Sequence, residues 1–172
     1  MKKIIVTIIL LGISQLTFAA NMPSTAIANN AYPNLSGVWV LEAHLNDGRT
    51  GVQYVKLEQA STHLTGMTFY LVDPGTGEKN PKKADSLSKI TGSVLPNKAF
   101  PIVTLTRLQA KKSFVAVFTG NYVKSNNKAE IRGYFVNTAN RSGHYTMVRA
   151  AQSPYFKLVK RAESGSLASI VK

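Results

Sequence analysis

The sequence predicts an all-β domain, an eight-stranded antiparallel up-and-down β-barrel, with a two-sheet β-sandwich as the alternative. Three observations carry this expectation. Short segments rich in Val, Ile, Tyr, Phe and Thr recur from residue 36 onward, separated by turn clusters such as "NDGRT", "KSNNK" and "TANRS". Most connectors are of hairpin length, which makes sequential antiparallel pairing the economical topology. Glycine also returns inside otherwise good strands: "LSGVW", "LTGM", "ITGS", "FTGNY" and "IRGY" place it at 37, 66, 92, 120 and 133. A strand-interior glycine weakens the strand and marks a bend or a close backbone approach. Bends that recur at similar heights are what a small closed barrel needs.

In chain order, residues 1–19 carry Lys2 and Lys3, an apolar run from Ile4 to Ile13, and small residues at Thr17 and Ala19. That layout is a secretory signal peptide whose apolar core is too short to span a bilayer. It predicts a secreted or periplasmic protein without a transmembrane helix. Residues 20–33, "ANMPSTAIANNAYP", read as an extended N-terminal arm. The barrel domain follows over 34–150, with strands at 36–45, 51–59, 65–72, 86–95, 101–109, 113–123, 129–137 and 143–150. In "SFVAVFTGNY" both faces are fairly apolar, and in "PIVTLTRLQ" Val103, Leu105 and Arg107 oppose Ile102, Thr104, Thr106 and Leu108 without fixing which side faces in. The C-terminal tail, 151–172, holds a short strand-like piece from Tyr155 to Val159 and then a frayed end.

Composition narrows the function. There is no cysteine, so neither disulfides nor thiolate chemistry support this fold. The formal charge is +13, of which Lys2 and Lys3 account for two. Such a charge favours phosphate, sulfate, acidic glycan or anionic lipid surfaces as partners, and export argues against nucleic acid.

"YPNLSGVWVL" brings Gly37, Val38 and Trp39 into the first strand, which resembles the Gly-x-Trp opening of the calycin superfamily, the lipocalins and avidins. The resemblance implies an arginine from the last strand over that tryptophan, and Arg149 in "YTMVRA" stands in the right place. Gly37, Trp39 and Arg149 are therefore the expected barrel floor. Within the superfamily, "LSGVW" and "VFTGNY" look more like avidin, whose strands use a similar Thr/Ser-Gly step. The likeness does not extend to a biotin pocket: Trp39 is the single tryptophan, Phe135 sits about where a pocket tryptophan would be, and Leu41 stands where the first strand would offer a polar contact.

No catalytic constellation is present. His44, His63 and His144 are scattered, without HxH or HExxH spacing, so no metal or other cofactor is expected. His44 and His144 could meet, as an alternative zinc pair, only if the first and last strands are neighbours, which barrel closure would make true. Asp73, Glu78 and Asp85 share one loop with Lys79, Lys82 and Lys83, a poor support for a glycosidase pair.

In an up-and-down barrel the odd-numbered loops share one end, here collecting Arg49, Lys79, Lys82, Lys83, Lys111, Lys112 and Arg141 against Asp47, Asp73, Glu78 and Asp85. The resemblance makes that end the open mouth where ligand enters. The sequence thus predicts an exported, non-enzymatic binding protein for a small or anionic ligand, such as a phosphate or phosphoinositide headgroup or an acidic glycan, held at a lysine-rich mouth. Tyr54, Tyr70, Phe135 and Tyr145 are the pocket candidates. The alternative is a protein partner: some bacterial protease inhibitors resemble this barrel and act through an N-terminal arm. An apolar outer face on strands six and seven (Val115, Val117, Phe135) would allow a homo-oligomer.

Overall fold

The computed structural model describes residues 32–79, 86–97, 99–109, 113–125 and 128–168. The expected signal peptide, the arm up to residue 31, and Lys82, Lys83, Lys111 and Lys112 lie outside the described residues.

Eight strands follow one another: β1 (Gly37–Leu45), β2 (Thr50–Ala60), β3 (His63–Val72), β4 (Ser88–Leu95), β5 (Ile102–Gln109), β6 (Phe114–Ser125), β7 (Lys128–Asn137) and β8 (Ser142–Arg149). Each pairs antiparallel with the next, and β8 returns to β1, so the sheet closes as an up-and-down barrel rather than a sandwich. Closure removes the unpaired edges on which open sheets aggregate.

Side chains alternate across each strand, and the inward set forms one apolar core. Trp39, Leu41 and Val55 meet Leu105, Ile131 and Met147 there, all essentially without solvent exposure. Burial of each large apolar side chain contributes about 1.5 to 3 kcal/mol.

Backbone approach explains the recurring glycines. Gly120 and Gly133 are register partners on β6 and β7. A Cβ on Gly133 would stand 1.9 Å from the Thr119 carbonyl oxygen, and one on Gly120 would stand 2.5 Å from the Arg132 carbonyl oxygen. Gly66 and Gly92 would meet the Lys56 and Thr104 carbonyl oxygens at 2.0 and 2.1 Å. Only hydrogen fits at these crossings.

The tail corrects the sequence expectation. Tyr155 to Val159 does not form a strand; it opens a helix, α1 (Phe156–Ala168), after a 3-10 turn at Ala150–Gln152. Ser153 Oγ accepts from the Tyr155 backbone N–H at 3.1 Å, and Pro154 follows it, which suits a helix start. Tyr155, Leu158, Val159 and Ala162 recur at helical spacing and pack on a second apolar cluster outside the barrel, with Val40, Val52, Tyr54, Phe69 and Leu71. The β1–β3 wall is therefore buried on both faces. Facing decides two further points: Phe135 is inside the barrel rather than on its outer face, while Val117, Tyr134 and Val136 remain exposed outside. No helix among the described residues is long and apolar enough to cross a membrane.

Candidate functional site

A cavity of about 70 Å³ opens at the end of the barrel where the β1–β2, β3–β4, β5–β6 and β7–β8 connections begin and end. Its inner walls are apolar, with Ala43, Phe114, Phe118 and Phe135; Arg141 and Pro74 stand at its rim. The polar side is made by Gln53, Tyr70 and Arg107.

Arg107 has the parity of Val103 and Leu105, so β5 carries it inward, and it is only 2% exposed. Its Nε donates to Ser88 Oγ at 3.1 Å. Nη1 donates to Tyr70 Oη at 2.9 Å and Gln53 Oε1 at 3.2 Å, and Nη2 to the Ser86 carbonyl oxygen at 3.3 Å. The guanidinium also lies over the Tyr70 ring at 4.6 Å and the Phe114 ring at 5.5 Å. A β-bulge helps to aim this cluster: the β2–β3 register shifts between Val52 and Gln53, so Gln53 pairs with Tyr70. Thr68 Oγ1 then donates to the Tyr54 carbonyl oxygen at 2.7 Å and lies 3.2 Å from Gln53 Oε1, beneath them.

At the rim, Arg49 is engaged by Asp47, with Nε 3.0 Å from both carboxylate oxygens. Their hydrogen bond holds the Asp47 pKa down at about 2, with Arg141 adding a smaller attraction. Arg141 is placed by a tight turn in which Asn137 N donates to the Arg141 carbonyl oxygen at 2.9 Å and Asn137 Oδ1 accepts from Arg141 N at 3.2 Å. Lys79 is exposed beside Val72, with which its backbone forms an isolated bridge.

The pocket candidates separate. Tyr70 and Phe135 line the cavity. Tyr54 does not: it faces outward under α1, stacked on Phe69 at 4.7 Å. There burial pushes its pKa up, with Glu163 of the helix adding to the shift. Tyr145 is buried in the barrel core, edge-on to Phe118 at 5.3 Å, with a hydroxyl that has no hydrogen-bond partner among the described residues. Arg107 is the site residue that sequence reading missed. Its signal was present in the alternation Val103, Leu105, Arg107.

The opposite end is closed by Trp39 and Arg149, whose Cζ lies 4.0 Å from the ring centre. Gly37 (φ +118) begins β1 there, and a Cβ on it would stand 3.0 Å from Arg149 Nη1. His44 and His144 are register partners on β1 and β8, and their rings stack at 4.8 Å. Among the described residues, no three His, Asp or Glu side chains gather as a metal site would need.

Fold and site together define a closed eight-stranded antiparallel barrel with a partly polar pocket at one mouth. Solved structures similar to it include AVR2 (15% identity, 69% of this chain and 96% of that one, TM-score 0.48). A second is a de novo designed fluorescence-activating β-barrel (15% identity, 70% and 98%, TM-score 0.46). Apo shwanavidin is a third (12% identity, 66% and 98%, TM-score 0.41), so avidin-like barrels are among the structures this chain resembles. No protein-family model matches the chain, and no curated protein matches it.

Proposed function

We propose that this chain is an exported, non-catalytic binding protein that takes a small or anionic ligand at the barrel mouth. The observation that carries the reading is the cavity itself: it opens at the end where Arg49, Lys79 and Arg141 stand, and its polar wall contains Arg107. Lys82 and Lys83 belong to the segment joining β3 to β4, and Lys111 and Lys112 to the segment joining β5 to β6, whose flanking strand ends border this mouth. A rim of that charge suits a phosphate or phosphoinositide headgroup or an acidic glycan, at a host or envelope surface. Pockets of eight-stranded barrels hold one small ligand.

The test is a thermal-shift panel with inositol phosphates and sulfated oligosaccharides at low and high salt. A ligand at a hundred times its dissociation constant adds about 2.7 kcal/mol of stability. A salt-sensitive rise in Tm that disappears when Lys82, Lys83, Lys111 and Lys112 are all changed to Ala supports the reading. No rise with any anion overturns it.

A protein partner is the second reading, and one observation favours it. The arm joins the barrel at the closed end, where a broad groove of about 630 Å³ is lined by Tyr32, Pro33, Phe100 and Tyr122. Deleting residues 20–31 would then abolish inhibition of a protease while leaving anion binding at the mouth unchanged.

A further inference from the structure

We propose that Arg107 is the receptor for the ligand's anionic group, and that this group is a carboxylate carried on a small apolar body. The inference rests on the mouth reading above and narrows it to a chemical class.

A guanidinium keeps its charge wherever it is placed, and a buried charge is ordinarily paired with an opposite one. Arg107 is buried, yet its described partners, Gln53, Tyr70, Ser86 and Ser88, are all uncharged. These contacts fix the orientation of the guanidinium plane without neutralising it. Arginine has five N–H donors; among the described residues the four contacts leave one on Nη2, and Tyr70, which accepts from Arg107, keeps its own proton to donate. Both donors belong to residues that line the same cavity.

The surroundings set the rest of the ligand. Beside the guanidinium, Phe114, Phe118, Phe135 and Ala43 give the same cavity an apolar wall. The one charge of Arg107, with these two donors, matches a monoanion. Inside the barrel the described cation is Arg107, whose single charge a carboxylate matches, while the further charge of a phosphate dianion would fall to Arg141 at the rim. Polyanions suit the rim; a carboxylate suits the interior, with its apolar body against the phenylalanines.

The experiment is calorimetric titration of the chain at constant ionic strength with hexanoate and benzoate, with hexanol and benzyl alcohol as uncharged counterparts, and with inositol hexakisphosphate. Wild type is expected to bind at least one carboxylate ten-fold or more tightly than its alcohol. Arg107→Gln should abolish that preference, and Tyr70→Phe should weaken carboxylate binding about three-fold with little change in Tm. Equal binding of acid and alcohol by wild type, or a preference that survives in Arg107→Gln, overturns the proposal. If Arg107→Gln does not fold, a Tyr70→Phe variant that binds carboxylates as wild type does overturns it instead. Inositol hexakisphosphate separates the two readings. Binding of it alone, unchanged in Arg107→Gln, removes the Arg107 inference and leaves the mouth; silence toward every anion removes both.

Discussion

Arg149 closes the barrel onto Trp39. The two are register partners on the last and first strands, and the Trp39 indole Nε1 donates to the Leu35 carbonyl oxygen at 2.8 Å from beneath the guanidinium. Arg149 donates in turn to the Ser36 carbonyl oxygen at 2.6 Å and the Asn34 carbonyl oxygen at 2.5 Å, so one side chain ties the incoming chain, the first strand and the last strand together. Arg149→Ala removes the cation and π-face contact and the charged hydrogen bonds, an expected loss of about 2 kcal/mol. Trp39 is the single tryptophan, so its fluorescence during urea unfolding reads this end directly. An unchanged midpoint would mean that the stack contributes nothing to closure.

The glycine pair on β6 and β7 yields a sharper expectation. Gly133→Ala places a methyl group 1.9 Å from the Thr119 carbonyl oxygen and 2.5 Å from the Gly120 Cα, where backbone on both sides prevents any side chain from moving aside. The strands must separate, at about 3 kcal/mol or more. Gly75→Ala is the control, since an added Cβ there meets only the Asp73 side chain, at 3.1 Å. Comparable Tm values for the two variants would show that the β6–β7 crossing can relax.

These glycines were readable because a residue without a side chain inside a β-branched run has few explanations. Strand positions were readable for a related reason: period-two alternation and hairpin-length turns are local signals. Facing was harder. Tyr54 reads as a pocket residue, yet β2 is buried on both faces, with Val55 and Leu57 toward the core and Val52 and Tyr54 under α1. Alternation cannot say which of two apolar faces is the inside. The helix escapes a sequence reading because Tyr155, Phe156 and Val159 are good strand formers; the spacing to Ala162 carries the helical signal. Arg107 was passed over because a charge is expected outside, and only closure of the barrel turns its parity into burial.

Helix α1 is predicted to be a removable brace. Val159 is 1% exposed against the outer face of β1–β3, so Val159→Asp buries a carboxylate that nothing in that apolar cluster answers. About 3 kcal/mol is the expected cost, enough to detach the helix. Far-UV circular dichroism should lose its helical component while Trp39 fluorescence remains that of the closed barrel. Simultaneous loss of both signals would show that the helix and barrel form one cooperative unit.

The rim has a pH dependence of defined sign. The Asp47 carboxyl, held at about 2 by its hydrogen bond to Arg49, lies below the ordinary carboxylate value, so its contribution to stability is present above about pH 4 and is lost as pH falls toward 2. Both groups are exposed, which keeps the effect small and salt-sensitive. The larger consequence is for binding: Asp47→Asn releases Arg49 and removes a negative charge at the mouth. Affinity for inositol hexakisphosphate should then rise two- to five-fold at low salt. A fall would place the anion away from this rim.

Tyr145 belongs to the core and not to the cavity lining. Its hydroxyl is buried without a partner among the described residues, and burial pushes its pKa upward because the phenolate would be desolvated. An unmade hydrogen bond costs more than a hydroxyl that is simply absent, so Tyr145→Phe is expected to stabilise the barrel by about 1 kcal/mol. Added bulk is not the cause, since the ring keeps its edge contact with Phe118. Gly120 belongs to the same arrangement, because a Cβ there would stand 2.6 Å from the tyrosine oxygen. Tyr145→Phe should leave carboxylate binding at Arg107 unchanged, whereas Tyr70→Phe should weaken it. The two hydroxyl deletions, read side by side by urea unfolding and by calorimetry, separate a group that the fold merely tolerates from one that the pocket uses. A Tyr145→Phe variant that loses stability would instead show that the hydroxyl is satisfied by an ordered water.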